Sequence, residues 1–440
     1  MKNIILITGF LLGIMSIQAQ NNVMKVQGSN LVTTNGQTIV LRGINYPILN
    51  EGSISISNAS QYQNYIDQVA LTGANAIRIP WHTDGVHWRD MQPYGTPGTL
   101  EGYIDNGHLS NLIGYCRQKG MIPILEIHDV TCSDNWSALL TTVQNWWLKP
   151  EILNLIETHK EYLIINIANE MGKAEWTVNS TAAMNTFKNN YNQVIANLRN
   201  AGVKVPLMID APDCGTSSTQ LLSVAQDMLN ADSEGNLIFS AHTYWYGYAN
   251  TTTAITTKIN EIVNSGVCFV FGEIANRQDV TGDPVDGTYN IDNIYQEVLT
   301  QACTHGIGWL AWTFNHDWES NREISSTSQF SNLTTYGNDL VYNTVYGLLA
   351  GQCNAVPLSV SDFSALQNTV KIYPNPASEI VFLENTQNVI QITLYDSTGR
   401  MLKSKSDNFN QIDVSDLSTG IYYLKIEQKT GSQTEKIAIN

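Results

Sequence analysis

Long apolar runs are the first thing this 440-residue sequence lacks. Beyond residue 15 no stretch approaches the roughly 18 apolar residues that a membrane-crossing helix needs. The exception lies at the start. Lys2 supplies a short basic lead, and IILITGFLLGIM (4–15) is an apolar core too short to span a bilayer. With SIQAQ behind it and the small Ala19 at a cleavage point, residues 1–19 read as a secretory signal peptide. Positive charge is scarce too. Lys and Arg number 23 against 39 Asp and Glu, a net charge of −16, which argues against nucleic acid or another polyanion as partner, because phosphate binding needs clustered cations. The six cysteines, Cys116, Cys132, Cys214, Cys268, Cys303 and Cys353, are too widely spaced for a zinc site or a small disulfide framework. Export permits disulfides, but no pairing can be read, and Cys268 and Cys303 have the look of buried thiols.

What is present is a rhythm of short apolar runs between residues 39 and 312. They are IVLRGINY (39–46), ANAIRIP (74–80), MIPILEIH (121–128), YLIINIANE (162–170), VPLMID (205–210), NLIFSAH (236–242), VCFVFGE (267–273) and GIGWLAW (306–312). Near-continuous apolar character suits parallel strands covered on both faces. The stretches between them are helical. TFKNNYNQVIANLRNAG (186–202) puts Phe187, Tyr191, Val194, Ile195 and Leu198 on one face and stops at Gly202. YQNYIDQVALTG (62–73) and LSNLIGYCRQKG (109–120) also end in glycine ahead of a strand. Eight such units predict an α/β fold, a (β/α)8 barrel over residues 20–349, with a small hairpin ahead of it that turns at Asn35-Gly36. The competing doubly wound sheet usually carries a glycine-rich phosphate loop, which is missing. Residues 350–368 have no period and read as a linker. Beyond them VKIYPNPASE, IQITLYDSTGRML and TGIYYLKIE alternate apolar and polar residues, predicting a small antiparallel β-sandwich over 369–440.

In a parallel barrel the functional face lies at the C-terminal strand ends. Six of the eight runs deliver a polar or aromatic residue there: Arg78, His128, Asn169 with Glu170, His242 followed by Tyr244, Glu273, and Trp312. Glu170 and Glu273 fall on the fourth and seventh runs, which face each other across an eight-stranded barrel. Two carboxyl groups flanking one bond is the requirement of glycoside hydrolysis. Aromatic faces pack well on sugar C–H faces, and seven tryptophans sit at or just after strand ends: Trp81, Trp88, Trp136, Trp176, Trp245, Trp312 and Trp318. Trp146, Trp147 and Trp309 read as core.

At these residues the chain resembles glycoside hydrolase family 5, with LRGINY, ANAIRI, ILEIHD, IINIANE, HTYWYG, FVFGE and GWLAWTF in family order. The resemblance implies that Glu170 is the general acid/base and Glu273 the nucleophile of a retaining enzyme. Asn169 would hold the sugar 2-hydroxyl, Arg78 and Tyr244 would orient Glu273, His128 and His242 would line the site, and Trp312 would lie under the sugar. It implies no metal and no organic cofactor. Glu273 is then expected to have a lowered pKa and Glu170 a raised one. LEIHD, LRNAG, LMIDA and GWLAW look most like the bacterial β-mannanase branch, so the polysaccharide is expected to be β-mannan. An endo-1,4-β-glucanase and a non-catalytic glycan-binding protein are the alternatives. Met171, EIANR (273–277) and PWHTDGVHW (80–88) depart from the branch. The tail IYPNPASE…YDSTGR…LSTGIYYLKI resembles the sorting domain of type IX secretion substrates, which implies export machinery as a partner and a secreted or surface-attached protein. A carbohydrate-binding module is the alternative for the tail. DVTGDPVDG (279–287) offers Asp279, Asp283 and Asp286 without EF-hand spacing, and reads as a solvated loop.

Overall fold

The computed structural model describes residues 23–48, 61–83, 104, 107–280, 286–351, 353, 370–386, 389–396, 399–428 and 431–440. The expected signal peptide, most of the linker, Trp88, Asp283 and much of the PWHTDGVHW loop lie outside the described residues. No helix among them is long and apolar enough to cross a membrane.

Eight parallel strands close into a barrel. In chain order they are β1 (Arg42–Asn45), β2 (Ala76–Trp81), β3 (Ile122–Ile127), β4 (Ile164–Asn166), β5 (Leu207–Asp210), β6 (Leu237–His242), β7 (Phe269–Ile274) and β8 (Gly308–Ala311). Each pairs with the next, and β8 pairs back onto β1 through Trp309–Arg42 and Ala311–Ile44. All eight apolar runs are strands, and every residue of β2, β3, β6 and β7 is buried, as a sheet covered by helices outside and filled within requires.

The helices bury the faces that their periodicity marks. The longest, Ser180–Asn200, buries Met184, Phe187, Tyr191, Val194, Ile195 and Leu198 against the strands. It starts where the Asn179 side chain accepts from Ala182 N at 3.0 Å, satisfying an amide that the helix leaves open. Each buried Leu or Ile contributes about 2 kcal/mol. Ahead of β1 the expected hairpin is a three-stranded meander, Lys25–Gln27, Asn30–Val32 and Thr38–Ile39. Its Met24, Leu31 and Ile39 join Ala76, Ile122, Ile124, Ile164, Met208, Ile238, Val270 and Leu310 in one cluster, closing the barrel's N-terminal end.

Residues 371–440 form two antiparallel sheets, one of three strands and one of four. They share a core of Val381, Leu383, Ile392, Leu394, Ile412, Leu424, Ile426 and Ile437, in agreement with the expected sandwich.

One cysteine expectation is corrected. Cys268 is a buried free thiol, but Cys303 is disulfide-bonded to Cys353. Cys303 sits in the last turn of helix Asp292–His305 and is only half-buried, so it lies within reach of the chain that leaves the barrel. A second disulfide joins Cys132 to Cys214.

Candidate active site

The centre of the site is a guanidinium at the barrel axis. Arg78 is fully buried, and its donors reach acceptors on or just after four other strands. Nε donates to Asn166 Oδ1 (2.8 Å), Nη1 to Asn45 Oδ1 (3.0 Å) and Glu273 Oε1 (2.9 Å), and Nη2 to Asn169 Oδ1 (2.6 Å) and Asp210 Oδ2 (3.3 Å). Glu126 Oε2 lies 3.7 Å away. A planar fork with five N–H groups suits such a crowd of acceptors. Burial opposes the charge, but Glu126, Asp210 and Glu273 together keep Arg78 protonated.

Glu273 enters this cluster because β7 is irregular. Its register shifts against both neighbours between Phe271 and Glu273–Ile274, the mark of a β-bulge. Gly272 occupies the bulge, where a methyl group would lie 2.4 Å from Ser240 Oγ and 2.9 Å from His242 Nε2. Only a residue without Cβ lets β7 approach that closely. The Glu273 carboxylate takes Arg78 on Oε1 and the Tyr244 hydroxyl on Oε2 at 2.8 Å.

Glu170 follows β4 across the barrel. Its Oε1 is 2.7 Å from His242 Nδ1, and that nitrogen is 3.6 Å from Glu273 Oε2. One donor atom each from Glu170, His242 and Glu273 lie within 4.8 Å of one another. Donor atoms so close could surround a metal ion, but His242 already brings positive charge to that point. Burial opposes that charge, yet Glu273, Asp210 and Glu170 outweigh it and raise His242 to about 10. Asp210 is the counterpart: burial works against its ionisation, and His242 and Arg78 hold it down at about 2.

The expectation of a lowered pKa for Glu273 is overturned. Burial pushes its carboxyl up to about 7, and Glu170 adds to the rise, while His242, Arg78 and Tyr244 pull against it. The sequence names the cations near Glu273 but not the depth at which it sits, and depth dominates.

These groups open into a cleft of about 660 Å³ lined by His128, Asn169, Glu170, Trp176, Tyr244, Glu273, Trp312 and Arg322. Trp312 is stacked on His128 with ring centroids 5.9 Å apart and donates its indole N–H to Asp317. Arg322 grips that same Asp317 with two bonds, 2.8 and 2.9 Å, and Asp279 with a third at 3.1 Å. Asp279 therefore has a partner and belongs to the cleft wall, contrary to the solvated-loop reading. Burial, with Arg78 nearby, pushes His128 down to about 3, so its imidazole is neutral.

All eight site residues read from the sequence meet here. The tryptophans do so less well. Of the six described rim indoles, Trp176 and Trp312 line the cleft. Trp81 and Trp245 are buried in the core, Trp136 packs on Phe187 and Tyr191, and Trp318 lies against the Arg322 guanidinium. Four further residues escaped the sequence reading: Asn45, Glu126, Asn166 and Asp210. Asn45 and Asp210 end β1 and β5, the two runs credited with no site residue.

The family follows from comparison with known proteins. Residues 32–317 match the cellulase family, glycosyl hydrolase family 5. The chain belongs to glycosyl hydrolase family 5. Residues 371–440 match the secretion system C-terminal sorting domain. The mannan endo-1,4-β-mannosidase of Salipaludibacillus agaradhaerens is 29% identical over 323 residues, covering 72% of this chain and 90% of the relative. That of Cellvibrio japonicus (strain Ueda107) is 26% identical over 324 residues, covering 72% and 66%. The catalytic domain of a mannanase from Streptomyces sp. SirexAA-E shares the fold with a TM-score of 0.60 at 22% identity, over 78% of this chain and 96% of that one. A family 5 member is a glycoside hydrolase that works by double displacement with retention, and carboxylate oxygens within 4.8 Å are close enough for it.

Proposed function

We propose that the protein is an exported endo-β-1,4-mannanase in which Glu273 is the nucleophile and Glu170 the acid/base. The observation that carries this reading is the pair itself: two carboxyl groups from opposite strands, within 4.8 Å at nearest approach, both lining the cleft. Relatives named for mannan support the substrate, and the sorting domain supports export to the medium or the cell surface through its own machinery.

The chemistry follows from the surroundings. Ionised Glu273, steadied by Arg78 and Tyr244, attacks the anomeric carbon while Glu170 gives its proton to the departing glycosidic oxygen. The new ester removes the negative charge of Glu273, which makes ionisation of Glu170 easier. Glu170 then draws a proton from water, and the hydroxide oxygen displaces Glu273. His242 bridges both carboxyl groups, so its positive charge stays beside whichever of them is ionised. Asn169, fixed by Arg78 and by the Thr131 hydroxyl at 3.0 Å, has an amide hydrogen left for the sugar, and Trp312 is its platform.

β-Mannan, galactomannan, glucomannan and carboxymethylcellulose assayed side by side test the substrate. Mannans should be cut internally, with long oligosaccharides released first. Cleavage of carboxymethylcellulose alone would make the enzyme a glucanase. Glu273→Ala should bind the polymer without turning it over, whereas equal turnover in the variant would remove Glu273 from the mechanism.

A further inference from the structure

The backbone around Glu170 is held in a conformation that the hydrolytic reading leaves unexplained. Eight described non-glycine residues have positive φ, and four of them surround this point: Cys132 (56°), Glu170 (48°), Asp213 (61°) and Cys214 (52°). Each such residue occupies a sparsely populated backbone conformation and persists only where its surroundings over-determine it. Here the surroundings form a ring. Cys132 follows β3 and Cys214 follows β5, so their disulfide passes over the end of β4, where Glu170 stands. Gly172 N donates to Ser133 O at 2.7 Å, and Asp213 N donates to Gly172 O at 2.8 Å. The strap after Glu170 is thus bonded to the residue after Cys132 and to the residue before Cys214, and the sulfur bridge closes the circuit.

The carboxyl group lies inside that ring. Cys132 Sγ is 3.3 Å from Glu170 Oε2, a packing contact, since a disulfide sulfur carries no hydrogen. On the other side Oε1 meets His242, whose backbone N–H donates to Gly215 O at 2.7 Å, one residue beyond Cys214. A methyl group on Gly215 would stand 2.6 Å from His242 Cγ, so this turn sits directly against the imidazole. Both oxygens of Glu170 are therefore placed by residues within or next to the bridged loops.

We propose that the Cys132–Cys214 disulfide is a positioning device for Glu170, holding its left-handed backbone and aiming its carboxyl group at the leaving oxygen. This rests on Glu170 being the acid/base. Cys303–Cys353, which joins the helix ahead of β8 to the chain beyond the barrel, is not among the described residues that line the cleft and serves as a control.

The test compares kcat/KM on β-mannan with kcat/KM on a dinitrophenyl β-mannobioside, whose leaving group needs no proton. General acid help is worth about 10²–10⁴-fold, and a misplacement near 1 Å about 10²-fold. C132S/C214S should lose about 10–100-fold on mannan and no more than about 3-fold on the aryl glycoside, while C303S/C353S keeps the wild-type ratio of the two. An unchanged ratio in C132S/C214S overturns the inference. E170Q separates the two layers: full activity of E170Q on mannan brings down the assignment of Glu170 itself, whereas loss in E170Q beside an unchanged ratio in C132S/C214S removes only the role of the disulfide. If the double variant does not fold, the native enzyme is reduced with a phosphine. The phosphine becomes its oxide, the S–S bond takes two electrons and two protons, and water supplies the oxygen. With thiols counted by alkylation and the barrel checked by circular dichroism, the same shift in ratio is expected, and reoxidation should reverse it.

Discussion

The two ends of the barrel interior come from the same strands and differ by a step of two residues. At the N-terminal end Ala76, Ile124, Ile164 and Met208 sit in one dry cluster. Two positions further along the same strands come Arg78, Glu126, Asn166 and Asp210, all fully buried and polar. Because side chains alternate with a period of two, each pair points into the barrel, one layer above the other. The lower layer closes the fold, and the upper layer assembles a net of charges around one guanidinium. β7 breaks the rule, since its bulge at Gly272 brings Glu273 inward one residue late. The barrel thus separates stability from chemistry by about 7 Å of strand.

If that separation holds, damage to each layer should read out differently. The largest effect is expected in the upper layer. Arg78→Met leaves Glu273 and Asp210 buried with only His242 to balance them, which should cost about 3–5 kcal/mol of stability and more than about 100-fold in kcat/KM. It should also move the acid limb of the pH–rate profile upward, because Glu273 then ionises less readily. Denaturant melts and a pH series check both. Ile164→Ala, one layer below, should cost about 2–5 kcal/mol but leave kcat per folded molecule and its pH profile unchanged. A changed profile in Ile164→Ala would show that the layers are coupled.

The next effect concerns the intact enzyme. With Glu273 raised to about 7 and required as the anion, kcat/KM should fall about tenfold per pH unit below that point. A limb near pH 4 would mean that the cations outweigh burial after all. The smallest effect is at Glu126. Burial raises it from 4.5 to about 8, with Arg78 opposing only in part. A raised carboxyl group contributes stability that is complete below its unfolded value and lost as pH climbs through the folded one. Glu126→Gln should therefore change stability little at pH 4 and protect against unfolding near pH 9, which thermal melts at the two pH values would show.

How much of this was legible in the sequence depends on what each residue touches. Glu170, Glu273, Arg78, His128, Asn169, His242, Tyr244 and Trp312 stand at strand ends in the right order, and strand ends converge in any such barrel. Asn45 and Asp210 stand there too. Their role is hidden in the sequence because they hold Arg78 rather than face a ligand, and nothing in a linear pattern separates the two roles. Trp81 and Trp245 failed the other way: position near a rim does not decide whether an indole turns to the cleft or to the helices. The disulfides and the height of the Glu273 pKa depend on distances and depth that only the folded chain fixes.

The central claim is that Glu273 becomes bonded to the sugar. Incubation with 2-deoxy-2-fluoro-β-mannobiosyl fluoride, followed by peptic digestion and mass spectrometry, reads this directly. One added fluoro-mannobiosyl group is expected, carried by the peptide containing Glu273 and absent in Glu273→Ala. A label on any other residue, or none while the fluoride is still turned over, would contradict it.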